Sequence, residues 1–137
     1  MPTYSFTRKQ VIPCDIDAAW SFFSSPLNLQ SITPGYMRFR IITPDAFDQV
    51  YAGQLIEYKL KPLPAFSFYW MTEITHVVPR QYFVDEQRYG PYAFWHHQHH
   101  FAAVEGGILM TDIVTYRMGI GILGRLAHRL YVRDRLK

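Results

Sequence analysis

Most of the chain after residue 36 alternates between apolar and polar side chains, and this alternation constrains the fold more than any other feature. A period of two is typical of β-strands. Short sequences rich in proline or glycine, such as Lys61-Pro62-Leu63-Pro64 and Glu105-Gly106, favour turns between the strands. They predict an antiparallel meander with strands at Tyr36 to Ile42, Gly53 to Leu60, Phe68 to Val78, Tyr82 to Gln87, Phe94 to Val104 and Gly107 to Arg117.

A strand and two short helices are predicted before the meander. The segment Tyr4 to Ile12 alternates and predicts an opening strand. Asp15 or Asp17 can cap a helix that ends near Phe23, because an aspartate side chain accepts hydrogen bonds from the free amides of a first turn. A second short helix is predicted from Pro26 to about Ile32.

The chain ends in an amphipathic pattern with a helical period. Its apolar residues fall on one stripe and predict a helix over Gly121 to Lys137. One strand, two short helices, a run of strands and a closing helix predict an α+β fold. In this fold a curved antiparallel sheet wraps around the long C-terminal helix.

Composition excludes several classes of protein. A chain of 137 residues has the size of one domain, and we expect a single domain over residues 1–137. Its 49% hydrophobic and 18% charged residues are incompatible with a disordered chain. No apolar run approaches the roughly 20 residues of a transmembrane helix, and no secretory leader is evident. Cys14 is the only cysteine, which excludes an internal disulfide, and we expect a cytoplasmic protein.

Positive charge is concentrated in the predicted C-terminal helix. The net charge is +3. A basic helix can contact phosphate groups or anionic lipid, but the same spacing also gives the solvated face of an ordinary amphipathic helix. We expect no nucleic-acid partner, and peripheral docking on a membrane or protein remains an alternative. The basic residues are Arg125, Arg129, Arg133, Arg135 and Lys137.

Short motifs along the chain match a known superfamily. They are Pro13 ahead of Ala18-Ala19-Trp20, Leu27-Asn28-Leu29, Ile32-Thr33-Pro34, Phe83-Val84-Asp85-Glu86-Gln87, Gly90-Pro91, the alternating Trp95, His97 and Phe101, Thr111-Asp112, and Tyr116. With the order of elements, they resemble the SRPBCC or START-like superfamily, also called helix-grip. The later motifs are similar to its bacterial ligand-binding branch, related to polyketide cyclase/dehydratase and coenzyme-Q-binding proteins. This resemblance implies the helix-grip fold and a ligand cavity between sheet and C-terminal helix.

Polar side chains share the predicted inward face of several strands. Trp70 and His76 fall on one face of their strand. A two-residue turn at Glu105-Gly106 and a five-residue loop over 89–93 fix which residues of neighbouring strands face each other. The predicted facing pairs are Phe101 and Met110, His99 and Asp112, Trp95 and Tyr116, Asp85 and His97, and Gln87 and Trp95.

The predicted pairs of imidazole and carboxylate have two interpretations. A carboxylate can hold an imidazole in one tautomer and raise its pKa, which suits it to move protons or to orient a ligand carbonyl. The same pair can serve only to satisfy two buried polar groups. The candidate catalytic residues are His97, His99, Asp85 and Asp112. Covalent catalysis is not expected, because no serine or cysteine lies in a pattern typical of a nucleophile.

Four of the six histidines lie between positions 96 and 100 and raise the question of a metal. His97 and His99 would project from one strand face. A third and fourth ligand must come from other strands, where Asp85 and Asp112 are the only inward candidates. We therefore expect no metal, and we expect no cofactor.

Aromatic residues around paired polar groups favour a pocket that is mostly apolar. We expect a non-enzymatic binding or carrier protein for a hydrophobic small molecule, such as a lipid, an isoprenoid quinone or a polyketide-like aromatic compound. The alternative is a cyclase or dehydratase with His97 or His99 as general base. The expected ligand-binding residues are Tyr58, Trp70, Asp85, Gln87, Trp95, His97, His99, Asp112, Val114, Tyr116, Leu123, Leu126 and Leu130.

Overall fold

The computed structural model describes residues 2–28, 40–43, 49–63 and 66–119. Helix α1 covers Ile16–Phe23, and a 3-10 turn covers Pro26–Asn28. No helix in these ranges is long and apolar enough to cross a membrane. The strands are β1 (Thr3–Ile12), β2 (Arg40–Ile41), β3 (Leu55–Leu63), β4 (Phe66–Val78), β5 (Tyr82–Tyr89), β6 (Phe94–Val104) and β7 (Gly107–Arg117).

The strands form one curved antiparallel sheet with the order β1-β7-β6-β5-β4-β3-β2. Strands β3 to β7 pair with their neighbours in sequence, which confirms the predicted meander. Strand β1 instead pairs with β7, so that Thr3 lies opposite Arg117. Strands β1 and β2 therefore occupy opposite edges of the sheet, and α1 lies in the connection between them.

Helix α1 begins at the N-cap Asp15, whose Oδ1 accepts a hydrogen bond of 2.7 Å from the amide of Ala18. Asp17 forms an ion pair with Arg80, which lies in the turn between β4 and β5. Of the two aspartates predicted as possible caps, one caps the helix and the other ties it to the sheet. Ser24 is the C-cap, and its backbone amide bonds to the carbonyl of Trp20.

Two groups of aromatic side chains pack on the inward face of the sheet. At one end, Trp20 of α1 packs edge-to-face on Phe83 and Phe101, with ring centroids 5.9 and 5.3 Å apart. At the other end, Trp70 packs on Trp95 at 5.4 Å, and Tyr92 lies 5.0 Å from Trp95. The middle of this face lies between them and holds the polar residues described below.

Irregularities in the ladders account for two differences from the predicted strands. Strand β3 continues over the residues Lys61 to Leu63, which the prolines predicted as a turn. The ladder to β4 shifts register between Leu60 and Leu63, and such an irregularity accommodates a proline that has no amide hydrogen to donate. A second shift between Ile74 and His76 turns His76 out to solvent, whereas Val77 packs against the core.

Several predicted features lie outside the described residues. These are the continuation of the second short helix to Ile32, most of the predicted strand from Tyr36 to Ile42, and the C-terminal helix with its basic residues. The predicted ligand contacts Leu123, Leu126 and Leu130 belong to that helix. They remain predictions from the sequence.

Candidate functional site

Four ionisable side chains meet in the middle of the inward face of the sheet. Asp85 comes from β5, His97 and His99 from β6, and Asp112 from β7. Asp85 lies opposite His97, and His99 lies opposite Asp112, which confirms the register predicted from the two turns. His97 and His99 are only 4% and 9% exposed. We refer to these four residues as the His/Asp quartet.

Hydrogen bonds in the His/Asp quartet run diagonally across the ladders. His97 Nε2 donates to Asp112 Oδ1 over 2.9 Å, and His99 Nε2 donates to Asp85 Oδ2 over 2.6 Å. Each imidazole thus bonds to the carboxylate that lies opposite the other imidazole, because diagonal neighbours remain within reach of long side chains. The two imidazole rings stack with centroids 3.7 Å apart. The sequence predicted two separate pairs, whereas the structure brings the four groups into one cluster.

The second nitrogen of each imidazole faces the other carboxylate. His97 Nδ1 lies 4.0 Å from Asp85 Oδ2, and His99 Nδ1 lies 3.4 Å from Asp112 Oδ1. Asp112 Oδ1 is therefore within 3.4 Å of both rings. This arrangement fixes the orientation of both imidazoles from two sides.

The cluster controls the charge of its members. Burial lowers the pKa of His99, but hydrogen bonds to Asp112 and Asp85 and the charges of both carboxylates outweigh burial and raise this pKa above 6.5. Burial raises the pKa of Asp112, but hydrogen bonds from His97 and His99 outweigh it, and the pKa is lowered far below 3.8. The quartet therefore favours an imidazolium at His99 and a carboxylate at Asp112.

Aromatic rings hold the two imidazoles in place. Phe83 stacks on the ring of His99 with centroids 4.1 Å apart, on the strand next to β6. Trp95 lies edge-on to His97 at 6.3 Å. The quartet is thus flanked by both aromatic groups of the inward face, and its imidazoles have little freedom to rotate.

The residues predicted as apolar ligand contacts on the strands lie on the same face. Trp95 and Tyr116 lie opposite each other in the β6–β7 ladder, as predicted, and Tyr58 lies opposite Trp70. The buried members are Tyr58, Trp70, Trp95, Val114 and Tyr116.

Gln87 makes contacts that the sequence did not predict. The ladder between β5 and β6 ends at Glu86 and His96, so the predicted pairing of Gln87 with Trp95 is absent from it. The side chain of Gln87 instead donates to the carbonyl of Tyr92 over 2.6 Å and accepts from its amide over 3.1 Å. Gln87 therefore closes the loop between the two strands, because the backbone of that loop curls back to meet it.

Arg8 is a charged residue near the quartet that is not among the site residues predicted from the sequence. It lies opposite Asp112 in the β1–β7 ladder, and its side chain donates to Gln10 over 3.2 Å. The alternation of the first strand does carry the signal, because it places Arg8 on the face of Tyr4 and Phe6. Arg8 remains exposed at the edge of the sheet.

The opposite face of the sheet carries a separate polar network. Glu86 accepts hydrogen bonds from His96 over 2.6 Å and from Arg88 over 2.9 Å, and Arg88 also donates to Glu73 over 2.8 Å. Burial raises the pKa of Glu86, but the bonds from His96 and Arg88 outweigh it and lower this pKa below 4.5. Strand β6 places His96 and His97 on opposite faces of the sheet. The outer histidines, His96 and His100, are therefore matched controls for the inner histidines, His97 and His99.

Solved structures with this architecture come from bacteria and from plants. A protein from Chromobacterium violaceum aligns with a TM-score of 0.70 at 12% identity, over 94% of this chain and 92% of that one. Major latex-like protein 151 from Panax ginseng aligns with a TM-score of 0.64 at 14% identity, over 98% and 95% of the two chains. The described residues share the fold of these structures, the helix-grip fold.

A third helix-grip structure is an enzyme with bound small molecules. Norcoclaurine synthase from Thalictrum flavum, in complex with dopamine and hydroxybenzaldehyde, aligns with a TM-score of 0.66 at 13% identity, over 98% of this chain and 80% of that one. Identities this low establish the helix-grip fold alone. No family model and no curated protein matches the sequence.

Proposed function

We propose that this helix-grip protein binds a hydrophobic small molecule against the inward face of the sheet, with the His/Asp quartet holding its polar head. The observation that carries the proposal is a buried cluster of four ionisable groups between two groups of aromatic rings. A few convergent polar groups within an apolar, aromatic surface are typical of small-molecule sites.

The chemistry of the face favours an oxygen-bearing aromatic or isoprenoid head. His99 supplies a hydrogen-bond donor to a carbonyl or phenolate oxygen, and Asp85 or Asp112 accepts from a hydroxyl. Lipids, isoprenoid quinones and polyketide-like aromatic compounds combine such a head with an apolar body. The complex of norcoclaurine synthase with dopamine and hydroxybenzaldehyde supports this class, since both compounds pair an aromatic ring with polar oxygens.

The proposed site also includes residues of the predicted C-terminal helix, which lies outside the described residues. Leu123, Leu126 and Leu130 of the predicted C-terminal helix would contact the ligand from the side opposite the sheet. Residues 1–137 would act as one ligand-binding domain, and the single cysteine is compatible with work in the cytoplasm.

Native mass spectrometry of freshly purified protein tests the proposal directly. We expect a stoichiometric hydrophobic adduct, which denaturation releases for identification. The identified compound is then titrated into His99→Gln, for which we expect affinity to fall about tenfold through the loss of a charge-assisted hydrogen bond. His96→Gln, on the opposite face of the same strand, is the matched control and should bind as the wild type does. Absence of an adduct, together with no binding of a quinone, a fatty acid or an aromatic polyketide, would overturn the proposal.

Turnover of the bound compound is the second candidate function, in the manner of a cyclase or dehydratase. The observation that favours it is the short hydrogen bond from His99 Nε2 to Asp85 Oδ2, 2.6 Å long, in a buried site. Because the pKa of His99 is raised, this residue suits the part of general acid better than that of the general base predicted from the sequence. An enzyme would lose turnover in His97→Gln or His99→Gln while binding is only weakened. A carrier would show no turnover in either form.

A further inference from the structure

The His/Asp quartet also has the donor set and the geometry of a metal site. We infer that Asp85, His97 and His99 bind one divalent transition-metal ion. Asp112 orients both imidazoles through the ring nitrogens that do not bind the metal. The sequence predicts no metal, because the remaining ligands have to come from other strands. The structure brings those ligands to the two histidines.

The three donor side chains already converge. One donor atom from each of Asp85, His97 and His99 lies within 4.8 Å of the other two. Asp85 Oδ2 is 2.6 Å from His99 Nε2 and 4.0 Å from His97 Nδ1. Zinc with bonds of about 2.0–2.2 Å in a tetrahedral arrangement separates its donors by roughly 3.3–3.6 Å. The two separations from Asp85 Oδ2 bracket this range, so side-chain movements bring these donors to tetrahedral spacing.

Asp112 has the position that an orienting carboxylate takes in metal sites. The nitrogens not assigned to the metal, His97 Nε2 and His99 Nδ1, lie 2.9 and 3.4 Å from Asp112 Oδ1. Metal-binding histidines usually donate their other N–H to a carboxylate, which fixes the tautomer and makes the imidazole a better ligand. Here one carboxylate serves both rings and leaves His97 Nδ1 and His99 Nε2 facing Asp85. A pair of imidazoles that only needed partners for burial would not require this shared orientation.

Charge and coordination number agree with this assignment. A metal ion that binds His99 displaces the proton of its imidazolium. The two carboxylates and two neutral imidazoles then carry a charge of −2 in a buried place, and a divalent ion balances it. Two nitrogen donors and one oxygen donor are a set that Zn²⁺ and Fe²⁺ accept. Three protein ligands leave a coordination position open, as in catalytic rather than structural zinc sites. That this position takes the oxygen head of the ligand rests on the function proposed above, whereas metal binding itself does not.

Titration of the chelator-treated protein with Co²⁺ and Zn²⁺ tests the metal site without any small-molecule ligand. We expect one equivalent per chain, with the visible absorption of four-coordinate Co²⁺ and its displacement by Zn²⁺. In the wild-type protein, the imidazole ¹⁵N resonances of His97 and His99 should shift on addition of Zn²⁺, while those of His96 and His100 should not. Because no organic ligand is present, failure of this titration leaves the binding proposal untouched.

Variants of the quartet identify the ligands. Asp112→Asn should weaken Zn²⁺ binding by about 10–100-fold, the usual effect of losing an orienting carboxylate. Asp85→Asn and His99→Gln should weaken it further, since each removes a direct ligand. The double variant His96→Gln, His100→Gln keeps both inner histidines and should bind as the wild type does. The inference is overturned if the wild type shows no saturable one-to-one binding, or if the outer double variant loses binding and the quartet variants retain it.

Discussion

His99 and Asp112 each owe their charge state to the cluster around them, and this links the stability of the metal-free protein to pH. The pKa of His99 is raised, so its contribution to the free energy of unfolding is present below pH 6.5 and is lost as the pH rises through the folded-state pKa. The pKa of Asp112 is lowered, so its contribution is present above pH 3.8 and is lost as the pH falls through the folded-state pKa. Both contributions are therefore present together between pH 3.8 and 6.5.

Urea denaturation of the wild type and of Asp112→Asn, at about pH 5.5 and about pH 9, measures this effect. We expect Asp112→Asn to lower the free energy of unfolding more at the lower pH, by about 1 kcal/mol, because the contribution of the His99 imidazolium is fully present there and is lost as the pH rises through its raised pKa. Glu73→Gln is the control, since its partner Arg88 keeps its charge at both pH values. An equal or larger loss at the higher pH would contradict the prediction.

At the residue scale, the sequence located the quartet but not its hydrogen bonds. Alternation and turn length fix which residues face each other, and this was enough for His97, His99, Asp85 and Asp112. Which carboxylate an imidazole reaches depends on how each side chain leans along its strand, and the sequence carries no signal for that choice. Gln87 shows the same limit, because its partner is the backbone of a loop whose path no alternation describes.

At the scale of elements, the turn from β6 to β7 depends on glycine. Gly106 and Gly107 have φ angles of +89° and +145°. Gly107 also begins β7 where β1 ends, so that a Cβ at this position would lie 2.1 Å from the carbonyl oxygen of Ile12. A side chain here would be strained by its own backbone and would also push β1 away from β7.

Gly107→Ala should lower the free energy of unfolding by about 2–4 kcal/mol, because it adds this clash to the cost of a positive φ. Gly53→Ala is the matched control, since Gly53 has a φ of +92° but nothing lies within 4 Å of the added Cβ. We expect the control to cost about 1–2 kcal/mol. Denaturation midpoints measured in parallel compare the two. If Gly53→Ala lowered the free energy of unfolding as much as Gly107→Ala, the contact with Ile12 would not contribute to the difference predicted here.

The strands themselves were predictable except where a ladder shifts. The bounds of β6 and β7 agree with the prediction, because regular alternation ends there at clear turn residues. The shift between Ile74 and His76 reverses the faces of the residues that follow, and nothing in the composition of that segment marks it. His76 was therefore expected inside and is exposed.

At the scale of the whole molecule, Trp20 joins α1 to the sheet. Trp20→Ala should lower the free energy of unfolding by about 2–4 kcal/mol, because it removes the contacts with Phe83 and Phe101 and leaves a cavity between helix and sheet. Phe22→Ala, on the same helix at a position that is 41% exposed, should cost less than about 1 kcal/mol. Thermal and urea denaturation of both variants provide the comparison. Similar losses for the two would show that Trp20 does not anchor the helix.

The order of elements and a few motifs were sufficient to predict the helix-grip fold. The identity of a ligand follows from the shape and chemistry of a surface that side chains from several strands build together. Tyr58 and Tyr116, for example, contribute to the same face from opposite halves of the sheet. A pattern along one strand cannot describe such a surface.

The pairing of β1 with β7 has a consequence for folding during synthesis of the chain. Ser5 and Thr115 meet across this ladder although 110 residues separate them along the chain. The ribosome makes β1 before β7, so β1 has no partner strand until β7 emerges. Closing so long a loop is entropically costly and slows folding. Of the described strands, β1 is therefore synthesised well before its partner β7, and its edge stays unpaired until β7 has been made.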